Sequence, residues 1–312
     1  MNSRMPISLL CLVGGLLFWA PLHGQDSATS STVPITTTVT ILGRNHAPAP
    51  EIRQEDVIVH SGKNVLKVIG WQRAQNSEQG SLELAFLIDE DARTSLLGQQ
   101  LGDMRNFIQA QPPSTSVGIF YAENGAAVVA SRFTTDHAKA AKSLRLTLGR
   151  GGASASIYLS LGDLATHWPS SSAARREVLM FSSGKDNLDP GVQDPYFDSA
   201  IHAVQKAGIN VHTIFVGGTR YGLTIRGDIS QGKLAQTTDD TGGQSYIEGV
   251  STPISFAPYL DELNQALNSQ YLLTFTIDPS RKKGGELREI QVRTEERNVK
   301  VSAPHEVFVP GA

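Results

Sequence analysis

Apolar and polar positions follow three regimes along this chain, and the order in which they change predicts its architecture. From Ile35 to Leu42 the run ITTTVTIL is β-branched. After the Pro-containing turn APAPE, two more short strand-like runs follow, Asp56 to His60 and Val65 to Trp71, separated by Ser61-Gly62-Lys63. These predict a small β unit, and the polar stretch Ala74 to Gly80 reads as a linker. The period then changes. Leu82 to Ile88 (LELAFLI) is nearly continuous in apolar residues, as a strand buried on both faces of a parallel sheet requires. Leu96, Leu97, Leu101, Met104, Phe107 and Ile108 recur at helical spacing. Val117 to Ala122 and Ala126 to Ser131 read as strands, and His137 to Leu148 and Ile157 to Trp168 as helices. Val178 to Ser182 is another buried strand, Phe197 to Ala207 a helix that Gly208 is placed to end, and Val211 to Val216 a strand. A helix around Leu234, a short strand at Ser245 to Ile247 and a helix from Tyr259 to Leu267 complete the alternation. After Ser269 the period returns to two: Tyr271 to Ile277, Glu289 to Thr294, Val299 to Ser302 and Glu306 to Val309 read as strands.

Strands alternating with helices of this length imply right-handed crossovers and a doubly wound, mostly parallel α/β sheet. The flanking β segments are expected to pair with each other, so that the α/β domain is inserted in a small β-sandwich built from both terminal segments. Chain ends that lie close together make such an insertion topologically cheap. The expected boundaries are a leader over 1–24, a linker over 25–34, the two halves of the β unit over 35–73 and 270–309, and the α/β domain over 81–269.

The first residues change the compartment rather than the fold. Arg4 is followed by an uncharged run from Ile7 to Ala20, then Pro21 and Gly24, the order of a secretory signal peptide. That run is shorter than the ~20 residues of a spanning helix, and no later segment reaches that length. A secreted or periplasmic protein without a membrane span is expected. The single cysteine, Cys11, lies inside the leader, so no disulfide or cysteine metal site is expected after cleavage. With 27 basic and 30 acidic side chains the charge is slightly negative, which leaves no electrostatic footprint for nucleic acid.

Four segments taken together, LELAFLIDEDART, GRGGASASIYLSLGDL, REVLMFSSGKDN and AGINVHTIFVG, resemble in order and spacing the von Willebrand factor A domain. With the leading EIRQEDVIVHSGKNVLKVIGW and the trailing LNSQYLLTFTIDP, the chain is more narrowly similar to secreted von Willebrand factor A-related proteins of acidobacteria. The resemblance covers roughly residues 33 to 309 and implies an adhesion or assembly module that binds a protein partner. It also implies a metal-ion-dependent adhesion site: Asp-x-Ser-x-Ser after the first strand, a Thr from a second loop and an Asp from a third.

In an open α/β sheet a ligand site lies outside the carboxyl ends of the strands. Asp89, the loop 151–156 and Ser182-Ser183 should meet there. Mg²⁺ or Mn²⁺ would want carboxylate and hydroxyl oxygens plus waters. The candidate ligands are Asp89, Asp91, Ser154 or Ser156, and Ser183, but the pattern is broken at almost every position. The two serine positions fall on Asp91 and Arg93, and the third-loop aspartate on Ser183. Arg93 has only donors and cannot ligate a metal. A degenerate site with no cofactor is therefore expected. Arg93, Lys185 and Asp186 are the charged residues of the same edge, and a side-chain cation, Arg93 ahead of Lys185, is expected to stand in for the metal between Asp89 and Asp91.

Other chemistry is thinly represented. The eight histidines show no metalloprotease spacing, and there is neither a G-x-S-x-G elbow nor a phosphate-binding loop. A serine hydrolase using Ser183 or Ser156 is the alternative, which would need a general base and an oxyanion donor pair. Arg281-Lys282-Lys283 before Gly284-Gly285 reads as a hairpin tip, and Asp239-Asp240 as a helix terminus.

Overall fold

Residues 82 to 89 explain the centre of the molecule: every one of the eight is buried, because the strand they form is covered on both faces. A computed structural model describes residues 32–44, 47–75, 80–92, 97–149, 151–169, 175–189 and 194–311, and residues 32–311 form one compact unit. The expected leader, most of the expected linker, Arg93, His23 and His46 lie outside the described residues.

The α/β sheet comprises β4 (Leu82–Asp89), β5 (Thr115–Glu123), β6 (Ala126–Thr134), β7 (Arg175–Ser182), β8 (Ile209–Phe215) and β9 (Ser245–Tyr246), in the order β6-β5-β4-β7-β8-β9. All neighbours are parallel except β5 and β6. That hairpin turns at Asn124 and Gly125, whose φ angles of 52° and 80° suit the tight two-residue turn that matches strand twist. The helices are α1 (Leu101–Gln109), α2 (His137–Lys142), α3 (Ile157–Thr166), α4 (Pro195–Lys206), α5 (Thr219–Gly222), α6 (Ile225–Thr241) and α7 (Ala257–Asn268). Leu84, Phe86 and Ile88 face a core shared with α1, α2 and α7, whereas Ala85 and Leu87 face one shared with α3, α4 and α6. Alternate side chains of one strand thus serve two helical layers, a doubly wound arrangement.

The remaining strands are β1 (Val33–Gly43), β2 (Val57–Ser61), β3 (Asn64–Arg73), β10 (Gln270–Ile277), β11 (Glu286–Glu289), β12 (Gln291–Thr294), β13 (Val299–Ser302) and β14 (Glu306–Val309). Strands from both ends of the chain share one six-stranded sheet, β12-β2-β3-β10-β1-β13, in which β10 is hydrogen-bonded to β1 on one side and β3 on the other. β11 and β14 form a separate pair, and Val307 and Val309 join a core with Val39, Val59, Leu273 and Phe275 of the larger sheet.

Several local readings are corrected. The helix expected over 137–148 stops at Lys142: Ser143 Oγ bonds back to Ala140 O, and the following segment is held extended by Thr147 Oγ1 donating to Ala92 O and by the Tyr121 hydroxyl, which accepts from the Arg145 N–H. Glu289 to Thr294 is two strands rather than one, broken at buried Ile290. The Arg-Lys-Lys-Gly-Gly segment at 281–285 is no hairpin tip, since β10 and β11 belong to different sheets. It is a crossover between them. Of the helix expected from Leu96, the positions Leu101, Met104, Phe107 and Ile108 are the buried face of α1, Leu97 is helical as well, and Leu96 lies outside the described residues. β1 begins at Val33, inside the expected linker.

Candidate functional site

Asp89 ends β4 and Ser182 ends the neighbouring β7, so the two side chains meet where the strand order reverses. Ser182 Oγ donates to Asp89 Oδ2 at 2.6 Å, and the backbone N–H of Asp91 donates to Asp89 Oδ1 at 3.0 Å. Ser182 Oγ in turn accepts the N–H of Gly184 at 2.9 Å. Gly184 has φ +69°, and a Cβ there would lie 2.6 Å from Ser230 O, so only glycine lets this loop lie against α6. Asp89 is buried, and its carboxyl is pushed up to about 6, first by burial and further by the charge of Asp91; the Ser182 hydroxyl, the Asp91 N–H and Lys185 oppose the rise.

Asp91 faces outward. Its Oδ2 lies 2.8 Å from Lys185 Nζ, with side-chain exposures of 35% and 46% respectively. Among the described residues, Lys185 sets a cation against this carboxylate. The expectation placed Arg93 first, and Arg93 lies outside the described residues. Gly151 brings the second loop close, since a Cβ added to it would be 3.1 Å from the Asp91 Cβ.

Ser156 and Ser154 have different surroundings. Ser156 caps α3, accepting the Leu159 N–H at 3.2 Å and donating to Asp186 Oδ2 at 2.8 Å. Asp186 also accepts the Leu188 N–H, and Asn187 N–H donates to Ala155 O, so the second and third loops are tied together. Ser154 points its backbone the other way, donating its N–H to Asn124 Oδ1 at the β5–β6 turn. Ser183 Oγ accepts the Lys185 N–H of its own loop at 3.4 Å. The structure thus gathers Asp89, Asp91, Ser156, Ser183, Lys185 and Asp186 on one edge and leaves Ser154 beside it.

Glu90, between the two aspartates, turns inward. It is buried, ion-paired with Arg145 and accepts the Leu148 N–H at 2.7 Å. Arg145 also lies 3.8 Å above the Tyr121 ring. Sequence reasoning passed over Glu90 and gave Ser182 no partner. The apolar run before Asp89 carries no sign of where an acidic partner will turn.

Exposed apolar side chains border the same edge. Leu223, Ile225 and Ile254 are 72%, 81% and 95% exposed, on the segments that follow β8 and β9. Thr252 donates to Gly217 O, joining those two segments.

No family model matches the chain, and no curated protein does. Among solved structures, it is similar to an aerotolerance-related membrane protein of Bacteroides fragilis, at 15% identity over 60% of this chain and 98% of that one, with a TM-score of 0.43. The SpRpn10 VWA domain matches at 13% identity over 60% and 97%, TM-score 0.39. The ArnB paralog VWA2 of Sulfolobus acidocaldarius matches at 10% over 90% and 76%, TM-score 0.39. The solved structures similar to this chain thus include von Willebrand factor A domain proteins, the family that the order of its motifs resembles.

Proposed function

We propose that this chain is an extracytoplasmic protein-binding module, for adhesion or assembly, that presents the carboxyl-terminal strand edge of its α/β domain to a protein partner without a bridging metal. The observation that carries this reading is the Lys185–Asp91 ion pair at 2.8 Å, together with exposed Leu223, Ile225 and Ile254 on the segments that follow β8 and β9. Large apolar side chains left exposed on a folded domain mark interaction sites, and a polar pair on the same strand-end edge supplies orientation.

The residues present do not fit a divalent cation. An ammonium stands against Asp91, both Asp89 oxygens already accept hydrogen bonds, and the third-loop position that would supply a carboxylate holds Ser183. Asp186 is turned to Ser156. A hard cation needs several oxygens free at once, and its site would be opposed by Lys185. The serine-hydrolase alternative has no observation in its favour, because the Ser156 hydroxyl is shared between a carboxylate and a helix N-terminus. The leader-like first residues support the extracytoplasmic placement, and the mixed pairing of terminal strands supports an α/β domain inserted in a small sandwich.

Two measurements test this. Millimolar Mg²⁺, Mn²⁺ or Ca²⁺ is expected to leave the thermal unfolding midpoint unchanged, because any ligand of the native state must raise it by an energy of about RT ln(1 + [L]/Kd). A rise with Mg²⁺ or Mn²⁺ that Asp89→Ala abolishes would overturn the metal-free reading. For the binding role, the chain is used as bait on the organism's envelope fraction beside a variant carrying Lys185→Glu, Ile225→Ser and Ile254→Ser. A partner captured by the parent and lost by the variant is expected; equal capture by both removes this edge from the role.

A further inference from the structure

A second surface, away from the strand-end edge, is built where a hairpin comes apart. β11 and β14 pair up to Glu289 and Glu306, and the Ile290 N–H still donates to His305 O at 2.8 Å. The same register would next set Gln291 opposite Pro304. Instead β12 pairs with β2 and β13 with β1, at opposite ends of the six-stranded sheet. Two features of the sequence force the split. Pro304 has no N–H to continue the ladder, and the His305 N–H is donated to Asp240 O on α6 at 3.0 Å, with its Nδ1 3.1 Å from Asp240 Oδ1.

The splayed legs and the flank of α4 enclose a groove of about 670 Å³. Asp198, Asp240, Glu289 and Glu306 line it, together with His202 and His305, and no lysine or arginine does. Among the described residues, Asp198, Glu289 and Glu306 form no ion pair; Asp240 is engaged by His305 and by Gln236. An independent feature points the same way. Gln205, also lining the groove, is only 5% exposed, and while its Nε2 donates to Asp240 O at 3.0 Å, its Oε1 has no donor among the described residues. The amide cannot be turned round without setting two oxygens face to face. A buried acceptor without a partner costs stability unless a donor reaches it.

We propose that this groove is a docking site for a cationic, lysine- or arginine-bearing segment of a protein partner. Its ammonium or guanidinium groups would meet the uncompensated carboxylates and the Gln205 oxygen, and its backbone would lie along the free edges of β12 and β13, as in strand addition to an open sheet.

The test is fluorescence anisotropy of two labelled octapeptides, alternating Ala-Lys and alternating Ala-Glu, titrated with the full chain. The lysine peptide is expected to bind, more weakly as salt rises, and the glutamate peptide not to bind. Asp198→Asn combined with Glu289→Gln, both at exposed positions, should raise the Kd of the lysine peptide about tenfold. Glu51→Gln with Asp261→Asn removes the same charge elsewhere on the surface and should leave it within about twofold. Thermal midpoints of the variants are matched to the parent first. A zero-length carboxylate–amine cross-linker, which needs no variant, should join the peptide to Asp198, Glu289 or Glu306 in the parent chain. Equal weakening by both double variants, cross-links confined to other carboxylates, or no binding at the highest soluble protein concentration would overturn the proposal.

Discussion

Glu177→Ala is expected to cost about 3–5 kcal/mol of folding stability, the scale of removing one partner from a buried polar cluster. Glu177 is completely buried near the start of β7. Its Oε2 lies 2.8 Å from Nε2 of equally buried His212, and its Oε1 accepts from Gln270 Nε2 at 2.8 Å and from Asn210 Nδ2 at 3.4 Å. Nδ1 of His212 accepts the Gln244 N–H at 3.0 Å, so the proton of the neutral ring is on Nε2 and is donated to Glu177. Removing the carboxylate strands these donors in the core, where each unsatisfied group costs about 1–3 kcal/mol. Urea unfolding of the variant measures the loss. Gln270→Ala should then cost less in the Glu177→Ala background than in the parent, since the bond between them is already gone and its bond to Arg175 remains to be lost. A loss below about 1 kcal/mol, or full additivity, would show that the cluster does not act as a unit.

That cluster also explains why the two sheets behave as one compact body. Gln270 opens β10 of the terminal sheet, and its Oε1 accepts from Arg175 Nη1 at 2.9 Å, while Arg175 itself bonds to Gly80 O and Leu267 O. Side chains at the entrances of β7 and β10 therefore tie the α/β sheet to the sheet made from both chain ends. Gln244 adds a second tie through Ser302 Oγ and Lys300 Nζ.

The strands of the α/β sheet were legible in the sequence because burial on both faces leaves no choice but an unbroken apolar run, as LELAFLI shows. The flanking strands were legible by their period of two. What was not legible depended on partners far away in the chain. Glu177 finds His212 and Gln270, which are 35 and 93 residues distant, and an Arg-Arg-Glu sequence before an apolar run gives no hint of either. The helix beginning at His137 ends at Lys142 because the next residues anchor to Tyr121 and Ala92, which helical periodicity cannot foresee. Glu289 to Thr294 looked like one strand because the break at Ile290 comes from Pro304 and Asp240, on other segments. At the strand-end edge, the spacing after Asp89 pointed to a cation near two carboxylates, and the fold brings Lys185, from a loop 94 residues away, to Asp91.

Asp89→Asn is expected to stabilise the protein by about 1–3 kcal/mol at pH 8 and to bring no gain at pH 4. In the folded chain burial raises the Asp89 carboxyl from 3.8 to about 6. Between those values the folded state holds a proton that the unfolded chain has released. Stability contributed by this residue is thus present below the unfolded value, falls as the pH rises through the window, and stays lost above about 6. A rise from 3.8 to about 6 corresponds to a ceiling of about 3 kcal/mol, and a neutral amide that must re-form the bonds from Ser182 and Asp91 recovers only part of it. Denaturant unfolding of both proteins at pH 4 and pH 8 gives the difference; equal stability at pH 8, or a gain that persists at pH 4, would refute the assignment. Lys185→Ala provides the opposite displacement. Without the ammonium 2.8 Å from Asp91, the negative charge facing Asp89 is no longer offset, and the pH window over which the parent loses stability should move upward. A buried carboxylate that lowers stability at neutral pH persists where its charge is used. At this edge it fixes Ser182 and, through the Gly184 N–H, the loop that sets Lys185 against Asp91.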